Sequence, residues 1–364
     1  MALTDIDGGR LADNAFSLGK NLIVNGAMQV AQRGTTSTSS DRRTVDSFYF
    51  NFGGGIAGTQ SQQTLSSGDP YNLGFRNFYR FAISTPSTAA GTYCQVITGL
   101  EAQNVANSGW QYASAASSVT VSFWVRSSVA QTFYGQLVSK DGTSQNYIFS
   151  FALSADTWTK VTKTVPGNSS VTIDNDNGRG LELVIVPFFG TDLTDSGATV
   201  DAWQAYSGSS RVPDMTSTWA NTNGATFDVT GVQLEVGTAA TPFEHRSYGD
   251  ELARCQRYYC LIANGTNKAI GTGGAYTAGN SWAFVHLPVE MRAAPSLDYV
   301  SGTDYYMMIG NNSSDGFNDL ILEGQTTSRM ARVSAQANIS LTQGYAYFMQ
   351  TDNASAKVGF SAEL

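Results

Sequence analysis

Residues 226–259 read TFDVTGVQLEVGTAATPFEHRSYGDELARCQRYY, and they hold both a strand and the end of a domain. Phe227, Val229, Val232, Leu234 and Val236 carry an alternating apolar pattern, and Gly231 moves that alternation along by one, as a β-bulge does. Pro242 ends strand pairing. Asp250 and Glu251 then stand where a helix N-terminus favours negative charge, and Arg254 and Arg257 lie toward its C-terminal end. The pattern predicts a strand that closes one β-domain, a boundary near residue 247, a short helix within 247–260 and the start of a second domain. Helical spacing puts Leu252, Cys255 and Tyr259 on one face. A helix this short is not stable alone, so that face must pack on a neighbouring domain or on the same helix of another subunit.

Working outward, segments with strand character recur at short intervals: 47–52, 75–83, 92–97, 118–127, 131–139, 147–153, 157–165, 181–188, 199–206 and 226–236. Clusters of Gly, Asn, Asp and Ser separate them, and helical periodicity is confined to a weak hint at 101–105. The reading is all-β: an antiparallel sandwich over 21–246, a linking helix over 247–260, and a smaller C-terminal β-domain over 261–364. Strand candidates in the latter are 282–289, 305–309, 319–322, 330–337, 346–350 and 358–364, with Pro288 expected at a strand end. Leu22, Val24, Met28 and Val30 alternate around Asn25-Gly26, a favoured hairpin pair. Trp124 and Trp158 sit inside alternating strands and are expected in the core. Residues 1–20 are polar and too short to fold alone, which suits a segment that attaches to a partner.

Composition narrows the function classes. Hydrophobic residues make up 41% of the 364, enough for real cores, while charged residues are only 14% against a usual ~25%. Polarity comes instead from Ser, Thr, Asn, Gln and 37 glycines, a mix suited to short strands and turns. The formal net charge is −8 and there is no basic run, which argues against nucleic-acid partners. No run of eighteen apolar residues predicts membrane insertion, and the N-terminus has neither the basic nor the apolar region of an export signal. Cys94, Cys255 and Cys260 form an odd, sparse set that reads as buried thiols.

Catalytic constellations are not legible. His245 and His286 are the chain's two histidines, and no Gly-x-Ser-x-Gly elbow accompanies them. Glu235 and Glu244 read as structural carboxylates that pair with Arg246 or Arg254. Asp174-Asn-Asp-Asn-Gly178 misses the EF-hand register, since Ile173 would occupy its first position; a looser oxygen site would use Asp174 and Asp176. Sugar recognition needs flat rings beside amides and carboxylates, because the C–H face of a sugar stacks while its hydroxyls seek planar polar groups. Trp110, Tyr112, Trp203, Tyr206 and Trp219 lie in such loop contexts and are the candidate glycan-binding residues; in the C-terminal domain Tyr276, Trp282, Tyr305 and Tyr306 lie near Asn and Gly and offer further rings.

Four segments carry a family resemblance: NLIVNGAMQVAQRGT (21–35), SFWVRSS (122–128), DNGRGLELVI (176–185) and FDVTGVQLEVGTAATPFEHRSYGDELARCQRYY (227–259). They resemble the jelly-roll domain of phage tail fibres and tail-associated proteins, similar to family 4/9 carbohydrate-binding modules. That resemblance implies a jelly-roll sandwich, a homotrimeric virion appendage assembled in the host cytoplasm, and a C-terminal β-domain at the tip or trimer interface, with Leu252, Cys255 and Tyr259 as expected interface residues. It further implies attachment to tail or capsid proteins through the N-terminal segment, contact with host-surface glycan, no catalysis and no cofactor, while admitting a structural calcium. Rival readings are a capsid decoration or fibre spacer without receptor contact, a polysaccharide depolymerase, which predicts β-helix repeats that the sequence lacks, and a cellular carbohydrate-binding module attached to a hydrolase.

Overall fold

Strand-forming residues dominate the chain, and their alternation sorts them between core and solvent. In the computed structural model, which describes residues 19–364, the chain divides into a first unit that ends at Tyr248 and a second over Gly249–Glu363. The first unit contains β1 (Thr36–Ser37), β2 (Tyr49–Gly53), β3 (Ala57–Thr64), β4 (Asn77–Thr85), β5 (Tyr93–Glu101), β6 (Ser118–Ser127), β7 (Gln131–Ser139), β8 (Gln145–Leu153), β9 (Thr159–Pro166), β10 (Arg179–Phe189), β11 (Trp203–Ala205) and β12 (Thr226–Val236). Among the described residues three short helices interrupt them: α1 (Asp69–Asn72), α2 (Ala102–Ala106) and α3 (Thr218–Asn221). The strands form two six-stranded antiparallel sheets, β1-β3-β4-β12-β6-β9 and β11-β8-β7-β10-β5-β2. From β4 onward the chain passes repeatedly between the two sheets, the connectivity of a jelly-roll sandwich.

The inner faces meet in an aromatic core. Phe50 and Phe52 of β2, Tyr79 and Phe81 of β4, Phe123 of β6, Phe133 of β7 and Phe227 of β12 are all buried in it. Ring centroids lie 4.6 Å apart for Phe50–Tyr79 and 5.1 Å for the edge-on pair Phe133–Phe227, in the range aromatic pairs prefer. Trp124 and Trp158 are not in this core. They lie half-buried on the outer side of the β12-containing sheet with Phe78, and the Arg126 guanidinium sits 4.7 Å over the Trp158 ring. Alternation alone does not say which phase faces inward, and here the intervening Phe123 and Val125 took the core.

β12 explains why the first and last matching segments belong together. Gly231 has φ 63°, and the pairing with β6 shifts between Thr230 and Gln233. A Cβ at 231 would stand 2.7 Å from the Phe75 ring, so glycine is needed for space as well as backbone. Before the bulge β12 pairs with β4; beyond it, residues 21–26 take that edge, with Leu22 N donating to Leu234 O (2.9 Å) and Val232 N to Gly26 O (2.9 Å). The Asn21 side chain donates to Val232 O and accepts from Leu234 N at 3.1 Å each. At residues 21–30 the Asn25-Gly26 pair serves a wide loop in place of a two-residue hairpin. Buried Asn25 organises that loop, its Oδ1 accepting from Gln29 N and Val30 N while its Nδ2 donates to Val30 O and Asp46 O.

The second unit opens with α4 (Tyr248–Gln256), whose first residue closes the first unit, followed by β13 (Tyr259–Asn264), β14 (Ala269–Thr277), β15 (Asn280–His286), β16 (Ser296–Tyr299), β17 (Tyr306–Gly310), β18 (Ser313–Phe317), β19 (Ile321–Leu322), β20 (Met330–Ala335), β21 (Ala346–Thr351) and β22 (Lys357–Ser361). They form a three-stranded sheet, β13-β22-β16, and a seven-stranded one, β18-β17-β21-β14-β15-β20-β19. Val285, Met308, Val333, Tyr347 and Met349 of the larger sheet share a core with Cys260, Val358 and Phe360 of the smaller. The helix stops before Tyr259, which begins β13. Cys255 and Tyr259 are fully buried within the single chain, so of the three expected interface residues Leu252 alone is partly exposed. Cys94 is likewise buried. The proposed attachment segment 1–20 lies, apart from Gly19 and Lys20, outside the described residues.

Candidate functional site

Four of the five ring residues expected to bind sugar serve the framework. Trp110 and Trp219 are buried in the core, where their indoles donate to Ser117 O (3.4 Å) and Thr226 O (3.1 Å). Burial removes both from contact with a ligand, which corrects the expectation for these two. Tyr112 is exposed in part, but its hydroxyl donates to Ile173 O and its ring meets Trp110 edge-on. Trp203 on β11 donates to Pro166 O at 2.6 Å and packs edge-on against Tyr147. Tyr206 alone belongs to a different surface, the outer face of the β11-β8-β7-β10-β5-β2 sheet.

That face is built by the phase of each strand that the core did not use. In β2, Phe50 and Phe52 turn inward while Tyr49 and Asn51 turn outward. In β5, Cys94 and Val96 turn inward, and Tyr93, Gln95 and Ile97 outward. Antiparallel register sets Asn51 opposite Gln95, Tyr49 opposite Ile97, and Tyr134 of β7 opposite Val186 of β10. The β10 bulge between Ile185 and Phe188 spreads the strand beside Gln95. Gly53 lies opposite Tyr93, and a Cβ there would meet the Tyr93 hydroxyl at 2.7 Å; glycine lets that ring lie across β2.

A long connection covers the β7–β8 side of this face. Leu193, Ala198, Tyr206, Val212 and Met215 pack onto Val138, Ile148, Val184 and Val186. The Gln136 and Asn146 amides both donate to Arg211 O, the latter at 3.0 Å. The Arg211 guanidinium stands 5.5 Å over the Phe189 ring and 6.0 Å over Tyr206. Burial raises the Tyr134 phenol above its ordinary pKa, and the Asp214 carboxylate adds to the rise. Tyr134 is therefore a neutral hydrogen-bond donor throughout the physiological range.

Toward β2 and β5 the face has unspent polar capacity. Gln95 is only 6% exposed as a residue, but its amide is not among the buried polar atoms without a partner, so the amide end reaches solvent. An amide at the surface of such a face can exchange its water for a ligand hydroxyl. Asn51 accepts from Ser40 Oγ at 3.3 Å, which leaves its amide N–H groups for another acceptor. The Arg42 guanidinium lies 4.2 Å over the Tyr49 ring. Tyr49, Tyr93 and Tyr134 supply flat surfaces, and Asn51 and Gln95 supply planar donors and acceptors, the pairing of groups that saccharides require.

Asp174 and Asp176 are exposed in the turn before β10. Asp141 Oδ2 accepts from Asp174 N and Asp176 Oδ1 from Gly178 N, both at 2.8 Å. Partial burial raises the Asp141 carboxyl, the Asp174 N–H lowers it, and the neighbouring Asp174 and Asp176 charges raise it further. Among the described residues no group of three or more His, Cys, Asp or Glu side chains is arranged to hold a metal ion. His245 Nε2 lies 2.9 Å from Leu73 O between the rings of Phe75 and Phe243. His286 is exposed on β15. Glu235 is buried and accepts from Gln233, Thr241 N and Thr241 Oγ1. No described helix is long and apolar enough to cross a membrane.

No family model matches the chain and no curated protein matches it. Among solved structures it is similar to a family 4 carbohydrate-binding module at 12% identity and TM-score 0.31, covering 58% of this chain and 98% of that one. It is similar to a family 11 carbohydrate-binding module from Clostridium thermocellum, solved with a mixed-linked tetrasaccharide, at 13% identity and TM-score 0.28, covering 58% and 98%. It is also similar to a cyclase from Fischerella sp. TAU at 8% identity and TM-score 0.35, covering 61% and 99%.

Proposed function

We propose that the chain is a non-catalytic glycan-binding protein of a virion appendage, a trimeric tail fibre or its equivalent, that contacts host-surface saccharide through the outer face formed by Tyr49, Asn51, Tyr93, Gln95 and Tyr134. The observation that carries this reading is the single sheet face on which Tyr49, Tyr93 and Tyr134 stand with the amides of Asn51 and Gln95. The appendage role is supported by the four segments that resemble tail-fibre jelly rolls, two of which pack against each other around β12. A binding role in place of catalysis is supported by the two histidines, one held by a backbone carbonyl and the other standing exposed on a strand.

The test is a glycan array followed by titration calorimetry with the full chain and its Gln95→Ala and Tyr93→Ala variants. The expected result is a saccharide ligand whose dissociation constant rises roughly tenfold in each variant, at little cost in melting temperature. Absence of any saccharide ligand would overturn the reading and favour a spacer or decoration protein; a ligand that neither variant weakens would overturn the assignment of binding to this face.

A further inference from the structure

The seven-stranded sheet of the second unit carries a cluster unlike the first unit's face. Along β15, Ser281, Ala283 and Val285 point into the core, and Trp282, Phe284 and His286 point outward. The strands on either side bring a partner to Trp282: Tyr276 from β14 and Arg332 from β20. Tyr276 stacks on the indole with centroids 4.7 Å apart and planes 16° from parallel. The Arg332 guanidinium sits 3.7 Å from the indole centroid. Because β14 and β20 flank β15 on opposite sides, the three groups form one row across the sheet.

Both ends of that row have capacity to spare. Tyr276 is 60% exposed, so one of its ring faces is open. Arg332 makes no ion pair and no side-chain hydrogen bond among the described residues, and its Nε is shielded from solvent without an acceptor. Glu323, whose backbone N bonds to Arg332 O, directs its Oε1 to Ser334 Oγ (2.5 Å) and Gln336 Nε2 (2.9 Å) and forms no ion pair with Arg332. Asn280, at the start of β15, also holds a buried Oδ1 with no donor. An idle planar cation is notable in a chain of net charge −8. A guanidinium fixed flat on an indole has lost little further freedom when it meets a carboxylate, and its fork fits that anion with two parallel hydrogen bonds.

We propose that Arg332, Trp282 and Tyr276 form a second binding site, specific for a carboxylate-bearing saccharide. The carboxylate pairs with Arg332, and a sugar ring lies on Tyr276. A second copy of this chain is the alternative occupant that sedimentation tests. The site does not depend on the first unit's face.

Titration calorimetry of the full chain with trigalacturonate and its methyl ester, and with sialyllactose and lactose, tests the assignment and separates uronate from sialate sources. At least one carboxylated sugar should bind, and its neutral counterpart should bind roughly tenfold more weakly or not at all. Affinity should fall with added salt, and Arg332→Gln and Tyr276→Ala should each weaken it by a similar factor, whereas Tyr93→Ala should leave it unchanged. Sedimentation of the wild type and of Arg332→Gln runs in parallel. Failure of both acidic sugars to bind, binding indifferent to Arg332→Gln, or an assembly state that Arg332→Gln abolishes would overturn the proposal; the last would assign the face to contact between copies.

Discussion

Asp228 shows how a single residue sets what its neighbours can do. It is fully buried on β12 and accepts from Arg80 of β4 at 2.7 and 2.8 Å and from Arg126 of β6 at 2.9 and 2.7 Å. Both guanidiniums are half-exposed and press on Phe78 and Trp158, so one carboxylate ties three strands and two rings together. Asp228→Ala would leave two cations facing each other over an apolar patch. We expect a loss of about 3 kcal/mol in unfolding free energy, read by urea denaturation, since removing one partner of such a group leaves the others uncompensated. A loss below about 0.5 kcal/mol would assign the triad to surface decoration. The strands around it were legible in the sequence, but the triad was not, because Arg80, Arg126 and Asp228 come within reach only through the pairing of β4, β12 and β6.

At the scale of elements, the clamp between residues 19–26 and 241–246 is the joint most sensitive to conditions. Glu244 accepts from Asn21 N at 2.7 Å and Gly19 N at 2.8 Å and pairs with Arg246 at 3.3 Å. Burial opposes its ionisation, but the two backbone N–H groups and Arg246 together outweigh burial and hold its pKa below the ordinary carboxylate value. A carboxylate depressed in the folded state stabilises above its unfolded pKa of about 4.3 and loses that contribution as pH falls through the lower folded value. Glu244→Gln should therefore melt a few degrees below wild type at pH 7, with the gap closing as pH drops below about 4. A gap independent of pH would show that hydrogen bonding, not charge, holds the joint. Sequence patterning predicted the strands β6, β7 and β12 with their observed bounds. It missed β3, whose AGTQSQQT has no apolar alternation because Gln60 and Gln62 spend their amides on backbone carbonyls of neighbouring loops.

For the whole molecule, the burial of Cys255 and Tyr259 changes what a trimer would have to use. If three copies associate, as the tail-fibre resemblance implies, Cys255 and Tyr259 are already buried within each chain, and surface beyond those two must supply the contact. Light scattering on the purified chain should give the mass of three copies, and Leu252→Ala should leave that mass unchanged. A monomer at micromolar concentration would remove the trimeric fibre from the proposal while leaving both glycan sites testable.

The sequence by itself determined the class of this protein: alternating runs separated by turn residues demand antiparallel β-structure, and the bulged strand at 226–236 followed by Pro242 and a charged helix demands an end to the first domain there. It also singled out 21–35 and 227–259, which turned out to be one hydrogen-bonded joint. Only the tertiary structure decided which phase of each strand faces the core. Alternation defines two faces but does not label them, so Phe123 and Val125 entered the core while Trp124, Tyr93 and Gln95 were left on outer faces. The same holds for the row of Tyr276, Trp282 and Arg332, residues up to 56 positions apart in the chain. They meet because strand register places them side by side, and register is a property of the paired sheet that no single strand carries.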